Sequence, residues 1–362
     1  MASALMTCPA TPDEPPVKAL DDDGDLLLRV GTTMCTSLQV CSDGTHDHDV
    51  AHTFRVCSRT MARASLVWKK MLFSCFAESK PKDGDWIVSL PEDSPEAMST
   101  LLGIIHAKFD GVPMLNHIIT TQHLFEVTVL TDKYDLTHIL RPWSRYWLDC
   151  VWDDASYNFL SNLELLWITW ELGDQARFAS TASFLAQHIK MEATVKSSLT
   201  PPEVPEIILK LHYDTVESLL RPFERLLRLL PDEPSGIALY GETVYHCRAR
   251  HPLPVHQNDS GGSSKQCNLV MLEYFTHALP TVRLCYNLRG RDLGMCSVSS
   301  IVMDLKDVIA NVPHLKGHRK CFPVRAVTAK IDSIVEEAVF TPTKLHIEHL
   351  QAQAIKSGLS RQ

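Results

Sequence analysis

The N-terminal part of the chain contains two segments that together predict a small sheet packed with a helix. Residues 24–31, GDLLLRVG, alternate polar and apolar side chains between two glycines, as half-buried strands do. Residues 54–73, FRVCSRTMARASLVWKKMLF, begin with the same alternation and change near Thr60 to apolar side chains spaced by three and four. The second segment therefore predicts a strand that runs into a helix, and the chain is assigned to the α+β class. The expected inner face of that helix consists of Ala64, Val67, Met71 and Cys75.

The composition is that of a globular protein from a reducing compartment. With 362 residues the chain is longer than one core usually needs, so two or three domains are expected. The formal net charge of −8 provides no basic field for a phosphate backbone, and no direct nucleic-acid partner is expected. Eleven cysteines at irregular spacings, with no secretory leader before them, favour reduced thiols and a location in the nucleus, the cytoplasm or both. Nowhere do about 18 apolar residues follow one another, so no membrane span is expected.

Four consecutive regions are expected along the chain. Residues 1–23 are rich in proline and acidic side chains, which predicts a disordered tail. Residues 24–149 form the first domain, with the strands and helices introduced above. Residues 150–230 predict an all-helical extension. Residues 231–362 predict a mainly helical C-terminal region, interrupted by a flexible loop at 252–266.

Helix boundaries are marked by capping residues and prolines. Ser94 followed by proline predicts the start of one helix, and Gln122–Tyr134 carries the apolar spacing of another. Pro142 lies inside a third helical pattern, where it predicts a kink or a fresh helix start. In the extension, Ser161 predicts the start of a helix through a capping box, and Gly173 predicts its end.

The order of these elements resembles a known family. Residues 24–31 and 54–73, together with residues 86–113, WIVSLPEDSPEAMSTLLGIIHAKFDGVP, and residues 124–149, LFEVTVLTDKYDLTHILRPWSRYWLD, resemble the BTB/POZ domain in the version common in filamentous fungi. Residues 164–178, ELLWITWELGDQARF, resemble the helical extension of such proteins. The resemblance implies the BTB/POZ fold, a small sheet flanked by helices. It also implies homodimerisation and the docking of other proteins rather than catalysis.

The chain departs from the family pattern in ways that affect its expected partners. The insertion between the two strands is longer than a hairpin usually needs, and Ser58-Arg59 stands where many animal members have a histidine before the first helix. Some BTB proteins bind cullin scaffolds through a hydrophobic-x-acidic motif, but the matching residues 109–113, FDGVP, contain no hydrophobic-x-Glu. The candidate partner-interface residues are Asp25, Arg59, Phe109, Asp110 and Val112.

Two segments contain side chains that metals prefer. The insertion carries Asp43, His46, Asp47, His48, Asp49 and His52, for which a polar surface loop is the favoured interpretation. The C-terminal region carries the zinc candidates Cys247, Cys267, Cys285, Cys296, His318 and Cys321. Because no Cys-x-x-Cys pair occurs among them, buried thiols are favoured over a zinc site. Neither a nucleophile elbow nor a phosphate-binding glycine motif occurs, so no catalytic residues and no cofactor are expected.

The leading functional hypothesis is a non-enzymatic adaptor for protein–protein interaction, whose BTB/POZ domain forms a homodimer or docks a partner. One version of it is a substrate adaptor for a cullin ubiquitin ligase. The first alternative is a scaffold or transcriptional co-regulator unconnected to ubiquitin. The second alternative is a zinc-stabilised recognition module in the C-terminal region. All three hypotheses expect proteins as partners.

Overall fold

The fold is mixed α+β, mostly helical, with a small four-stranded sheet. The computed structural model describes residues 17–32, 51–114, 119–154, 159–188, 199–229, 238–240, 242–243, 264–284, 297–314 and 321–360. The chain divides into two compact units. The first unit comprises Met1–Ser156, Ile168–Asp174 and Glu348–Gln362, and the second comprises Tyr157–Trp167 and Gln175–Ile347. This division differs from the expected succession of regions, because two later pieces of the chain belong to the first unit.

The sheet lies in the first unit and is ordered β1-β3-β2-β4. Its strands are β1 (Val17–Ala19), β2 (Leu26–Val30), β3 (His52–Val56) and β4 (Ile87–Leu90). Strands β2 and β3 are antiparallel, with Leu28 opposite Phe54, while β1 pairs with β3 and β4 pairs with β2 in parallel. The side chains of Leu26, Leu28 and Val30 are buried and confirm the alternation read from the sequence. The expected disordered tail is wrong at its end, because β1 hydrogen-bonds to β3 as a strand.

Five complete helices accompany the sheet in the described part of the first unit. They are α1 (Ser58–Ala64), α2 (Leu66–Phe73), α3 (Pro95–Ile105), α4 (Thr121–Tyr134) and α5 (Ser144–Asp154). The Ser94 hydroxyl accepts from the backbone nitrogen of Ala97, which confirms the predicted cap of α3. The interruption at Pro142 takes the form of a 3-10 turn at Thr137–Leu140, after which α5 begins afresh.

The single helix expected after β3 is instead two helices that meet at Ser65. Ser65 has an extended backbone, and its hydroxyl accepts from the backbone nitrogen of Trp68, so it caps α2. This break changes the direction of the apolar face. Trp68 and Leu72 are fully buried, whereas Val67 and Cys75 are exposed, so the predicted inner face is wrong at those two positions.

Helices α6 (Phe159–Leu172) and α7 (Gln175–His188) are separated by Gly173, which has a φ of +81° and ends α6 as predicted. The start of α6 lies two residues before Ser161, so the predicted capping box does not mark it. The side chains of Phe178, Ala182 and Leu185 in α7 are buried.

The second unit is built mainly from helices around an apolar cluster. Besides α7 it contains α8 (Val204–Leu229), α9 (Ser264–Leu284), α10 (Val298–Ala310), α11 (Val324–Glu337) and the beginning of α12 (Lys344–Ser357), with a short β-ladder at Ala238–Leu239 and Glu242–Thr243. Phe223, Phe275 and Phe322 lie at the centre of the cluster. Helix α9 begins inside the expected loop at 252–266, whose residues before 264 lie outside the described part of the chain.

Candidate protein-interaction surface

Helix α2 and the residues after it expose several large apolar side chains on the first unit. Leu66 is 65% exposed, Phe76 59% and Phe73 49%. Val67 and Ile87 are also exposed, and these five residues are named the α2 surface. Solvent-exposed groups of large apolar side chains mark interaction sites more often than single exposed ones do. The α2 surface is therefore the candidate functional site.

The geometry of α2 explains why apolar side chains point away from the core. Trp68 and Leu72 lie four residues apart and fill the inner face, where the Trp68 ring stacks on Tyr134 with centroids 4.5 Å apart. Since successive helical residues are rotated by about 100°, Leu66 and Phe73 lie on the opposite face. Because Trp68 and Leu72 fill the face of α2 that packs against the core, Leu66 and Phe73 on the opposite face remain exposed to solvent.

The residues that follow α2 are held in place by side-chain hydrogen bonds. The Ser79 hydroxyl donates to the Ser74 carbonyl at 2.5 Å, and the indole nitrogen of Trp86 donates to the Glu78 carbonyl at 2.8 Å. The Phe73 ring meets Trp86 edge-on with centroids 5.8 Å apart. These contacts tie the end of α2 to the start of β4. The part of the α2 surface around Phe73 is thus backed by a structured turn.

The charged side chains of α1 and α2 are all basic. Residues 58–77 contain Arg59, Arg63, Lys69 and Lys70 and no acidic residue. All four basic side chains are exposed. A partner that carries carboxylates beside apolar side chains would complement this surface.

A polar groove on the same unit has the opposite charge. Its volume is about 610 Å³, and its lining includes Glu92, Glu96, His123 and Glu126. Burial lowers the pKa of His123, whose Nε2 lies 3.0 Å from the Thr100 hydroxyl oxygen. The imidazole is therefore neutral near pH 7. No lysine or arginine lines the groove among the described residues, so its field is acidic.

The five candidate interface residues read from the sequence have different positions in the structure. Arg59 is exposed at the start of α1. Phe109 and Asp110 are exposed on a 3-10 turn, where the Phe109 ring lies 5.9 Å from that of Trp143. Val112 is only 4% exposed and is withdrawn from the candidate interface, because its side chain fills the core.

Asp25 has an intramolecular function that the sequence did not indicate. Its carboxylate accepts hydrogen bonds from the backbone nitrogen and the hydroxyl of Ser58, both at 2.9 Å. Lys80 forms an ion pair with it at 3.6 Å. Asp25 thus supports the first turn of α1 rather than offering a free carboxylate to a partner. Because Asp25 and Ser58 are 33 positions apart in the sequence, no local pattern reveals this cap.

The described residues contain no group of three or more metal-ligating side chains placed to hold an ion. Cys267 and Cys321 are buried in the apolar cluster of the second unit. Cys247, Cys285, Cys296 and His318 lie outside the described residues, as do Asp43, His46, Asp47, His48 and Asp49. The buried positions of the two described cysteines agree with the interpretation as apolar thiols.

Comparison of the chain with models of protein families gave no match, and comparisons with curated proteins and with solved structures gave none either. None of the helices in the described part of the chain combines the length and apolar character needed to cross a membrane.

Proposed function

We propose that this protein is a non-enzymatic adaptor for protein–protein interaction, of the BTB/POZ type, and that its first unit binds a second copy of the chain through the α2 surface. The observation that carries the proposal is the exposure of Leu66, Phe73 and Phe76 on a structured part of that unit. Burying such side chains stabilises an interface by about 25 cal/mol for each Å² of apolar area removed from water.

The element order supports the BTB/POZ part of the proposal. From β2 onward, a strand leads to a second strand, a helical segment, a further strand and then α3, α4 and α5, which is the order of the four sequence blocks except that the first helix is divided in two. The resemblance implies dimerisation and docking for such a domain, and the exposed apolar side chains of the α2 surface support this part of the proposal.

Charge complementarity supports a second copy as the occupant. Lys69 and Lys70 flank the apolar side chains of α2, while Glu92 and Glu96 are exposed at the acidic groove of the same unit. Two copies can therefore pair the basic surface of one with the acidic groove of the other. Opposite potentials of this kind increase association rates and fix the relative orientation of two partners.

Light scattering on the full chain at micromolar concentration tests the self-association. We expect a dimer for the wild type and a monomer for the double variant Leu66→Glu, Phe73→Glu, because the added carboxylates are costly to bury and repel the acidic groove of the second copy. Met303→Glu is the matched control, since Met303 is 69% exposed on α10 in the second unit. A wild type that stays monomeric at this concentration contradicts the proposal, as does equal dissociation by the control.

Charge reversal tests the complementary groove. The variant Lys69→Glu, Lys70→Glu and the variant Glu92→Lys, Glu96→Lys should each weaken self-association when alone. Mixing the two variants should restore a dimer, because the reversed groove of one then faces the reversed α2 surface of the other. If the mixture is no stronger than either variant, the acidic groove is not the contact for α2.

A link to ubiquitin ligation has weaker support than self-association. Phe109 and Asp110 are exposed where a cullin contact is expected by resemblance, but the hydrophobic-x-acidic motif is incomplete there. Titration of the full chain with a purified cullin N-terminal domain tests this version, with Phe109→Ala as the variant. Binding that Phe109→Ala does not weaken would exclude this turn as the contact.

A further inference from the structure

The first unit contains a buried carboxylate that joins three separate elements. Glu171, near the end of α6, is fully buried. Its Oε1 accepts from the hydroxyl of Thr137 in the 3-10 turn and lies 3.3 Å from the hydroxyl oxygen of Thr131 in α4. Its Oε2 accepts from the amide nitrogen of Gln353 in α12 at 2.7 Å. One side chain therefore connects α4, the following turn and the C-terminal helix.

Residues 348–360, named the C-terminal latch, are held to the first unit by several further contacts. The Ser144 hydroxyl donates to the Ser357 carbonyl at 2.7 Å, and the Ser357 hydroxyl donates to the Leu172 carbonyl at 2.6 Å. Arg141 donates to the Ile355 carbonyl at 2.7 Å. These bonds use the last carbonyls of helices, which have no helical partner of their own. The latch therefore covers Glu171 and shields it from water.

The polar groups around Glu171 can accommodate a proton. The Thr131 hydroxyl lies 3.0 Å from the Thr128 carbonyl, so it can donate there and accept from a protonated Glu171. Gln353 Oε1 is buried and has no hydrogen-bond partner among the described residues. A half-turn of the Gln353 amide would place this oxygen where a protonated Glu171 donates, since the two ends of an amide have nearly the same shape.

The charges near Glu171 are Asp132 on α4 and Lys356 on α12. Burial raises the pKa of Glu171 to about 7, and the negative charge of Asp132 acts in the same direction. The hydrogen bonds from Thr137 and Thr131 and the charge of Lys356 oppose this shift. Lys356 is itself engaged with Asp135 at 2.9 Å, which weakens its compensation of Glu171.

We propose that Glu171 makes the C-terminal latch sensitive to pH, so that the latch closes on the first unit when Glu171 is protonated and loosens when it ionises. The geometry carries this inference, because Gln353 of the latch donates to Oε2 of the fully buried Glu171 carboxyl, and opening the latch removes this contact and admits water to the ionised group. The inference does not depend on the proposed self-association.

The direction of the pH dependence follows from the linkage between latch closure and proton binding by Glu171. A carboxyl whose pKa is higher in the closed state than in the open state binds protons more strongly when closed. The closed state is therefore most favoured below the ordinary glutamate pKa, and it loses this advantage as the pH rises to about 7. If Glu171 has its ordinary pKa in the open state, the ratio of closed to open latch falls roughly tenfold to a hundredfold between about pH 5 and pH 8.

Hydrogen exchange of the full chain, corrected for the intrinsic pH dependence of amide exchange, tests the proposal. We expect the protection of residues 348–360 to fall about tenfold to a hundredfold over this pH range in the wild type. In Glu171→Gln, which keeps the shape of a protonated glutamate, the protection should not change with pH. Helix α10 in the same samples is the internal control. Equal pH profiles for the wild type and Glu171→Gln would overturn the proposal.

A second measurement keeps the test decisive if Glu171→Gln fails to fold. Carboxyl carbon-13 resonances of wild-type protein labelled at glutamate can be titrated directly. We expect one resonance with a midpoint near pH 7, because burial raises the pKa of Glu171 to about 7. If every glutamate titrates below about pH 5, close to the ordinary value, no buried carboxyl controls the latch.

Discussion

The carboxylate of Asp25 accepts two hydrogen bonds from Ser58, one from its backbone nitrogen and one from its hydroxyl, each at 2.9 Å. The residue before α1, Cys57, provides no side-chain cap. A carboxylate that immediately precedes β2 in sequence therefore satisfies the first turn of a helix that follows β3. The negative charge of this carboxylate is also stabilised by the positive end of the helix dipole at the start of α1.

Replacing this carboxylate should destabilise the first unit. We expect Asp25→Ala to lower the free energy of unfolding by about 1–2 kcal/mol, as the loss of a helix cap does. Asp23→Ala is the control, because Asp23 is exposed and lies close in sequence. Urea-induced unfolding followed by circular dichroism measures both. An equal loss of unfolding free energy in the two variants would show that the removal of a negative charge, not the loss of the helix cap, destabilises the protein.

The hydrogen bonds between Asp25 and Ser58 also predict that the free energy of unfolding depends on pH. Partial burial alone would raise the pKa of Asp25, but the Ser58 hydrogen bonds and the Lys80 charge outweigh it and lower the pKa. A carboxyl with a lowered pKa stabilises the fold above its ordinary value and loses that contribution as the pH falls through its folded value. The stability difference between the wild type and Asp25→Ala should therefore shrink below about pH 4.

Gly173 and Gly84 form a natural pair for a backbone test. Both have positive φ, +81° and +85°. A Cβ at Gly173 would lie 2.2 Å from the Ala354 nitrogen and 2.5 Å from the Leu350 carbonyl oxygen, whereas a Cβ at Gly84 would meet nothing within 4 Å. Gly84→Ala should cost about 1 kcal/mol through its backbone conformation alone. Gly173→Ala should cost at least about 2 kcal/mol more, since α12 must move. Similar unfolding free energies for the two variants would contradict the close approach.

Local signals predicted the parts of the fold that depend on neighbouring residues. The N-cap at Ser94, the stop at Gly173 and the alternation of β2 are all read within a few positions of the chain. Helix periodicity failed around Ser65, because a serine cap can restart a helix at the cost of one residue. That restart turned Val67 outward, so the sequence could not show that α2 exposes an apolar surface.

Contacts between residues far apart in the sequence explain the remaining differences between the predictions and the structure. The sequence around Asp25 predicts an interface residue, because nothing within a few positions of it reveals a partner at Ser58. The sequence predicts residues 348–360 as part of a C-terminal region, because contacts such as that of Ser144 with Ser357 join positions 213 residues apart and leave no local signal. Glu171 lies in an apolar helical pattern, where an isolated glutamate is the only sequence sign of a buried polar cluster.

The hydroxyl of Tyr134 should contribute more to the free energy of unfolding than a tyrosine hydroxyl that donates to a neutral acceptor. Its hydroxyl donates to Asp93 at 2.5 Å, and the Asp93 side chain is 2% exposed. Hydrogen bonds to charged groups are worth about 1.5–3 kcal/mol, against about 0.5–1.5 kcal/mol for neutral ones. Tyr134→Phe should therefore cost more than Tyr274→Phe, which loses a bond to the Val308 carbonyl at 2.9 Å.

Native-state hydrogen exchange compares the two variants, because it reports the stability of α4 and of α10 separately. Phenylalanine keeps the ring that stacks on Trp68, so the difference isolates the hydroxyl. A loss in α4 that does not exceed the loss in α10 would contradict the charged hydrogen bond.

His106 should make the stability of the first unit depend on pH in the opposite direction to Glu171. Its Nε2 accepts from the backbone nitrogen of Cys57 at 3.1 Å, and its Nδ1 lies 3.0 Å from the Leu102 carbonyl oxygen. Accepting at Nε2 and donating from Nδ1 requires a neutral imidazole. Burial lowers the pKa of His106 below its ordinary value of 6.5. The unfolded chain therefore takes up the proton first, and stability falls as the pH drops below about 6.5.

His106→Gln separates this effect from that of Glu171, because the glutamine oxygen can accept from Cys57 without titrating. The difference in unfolding free energy between the wild type and His106→Gln, measured from about pH 7.5 to pH 5, cancels the contributions that both proteins share. We expect the wild type to lose stability relative to the variant as the pH falls. A difference that is constant, or that grows in favour of the wild type at low pH, would mean that folding does not lower the pKa of His106.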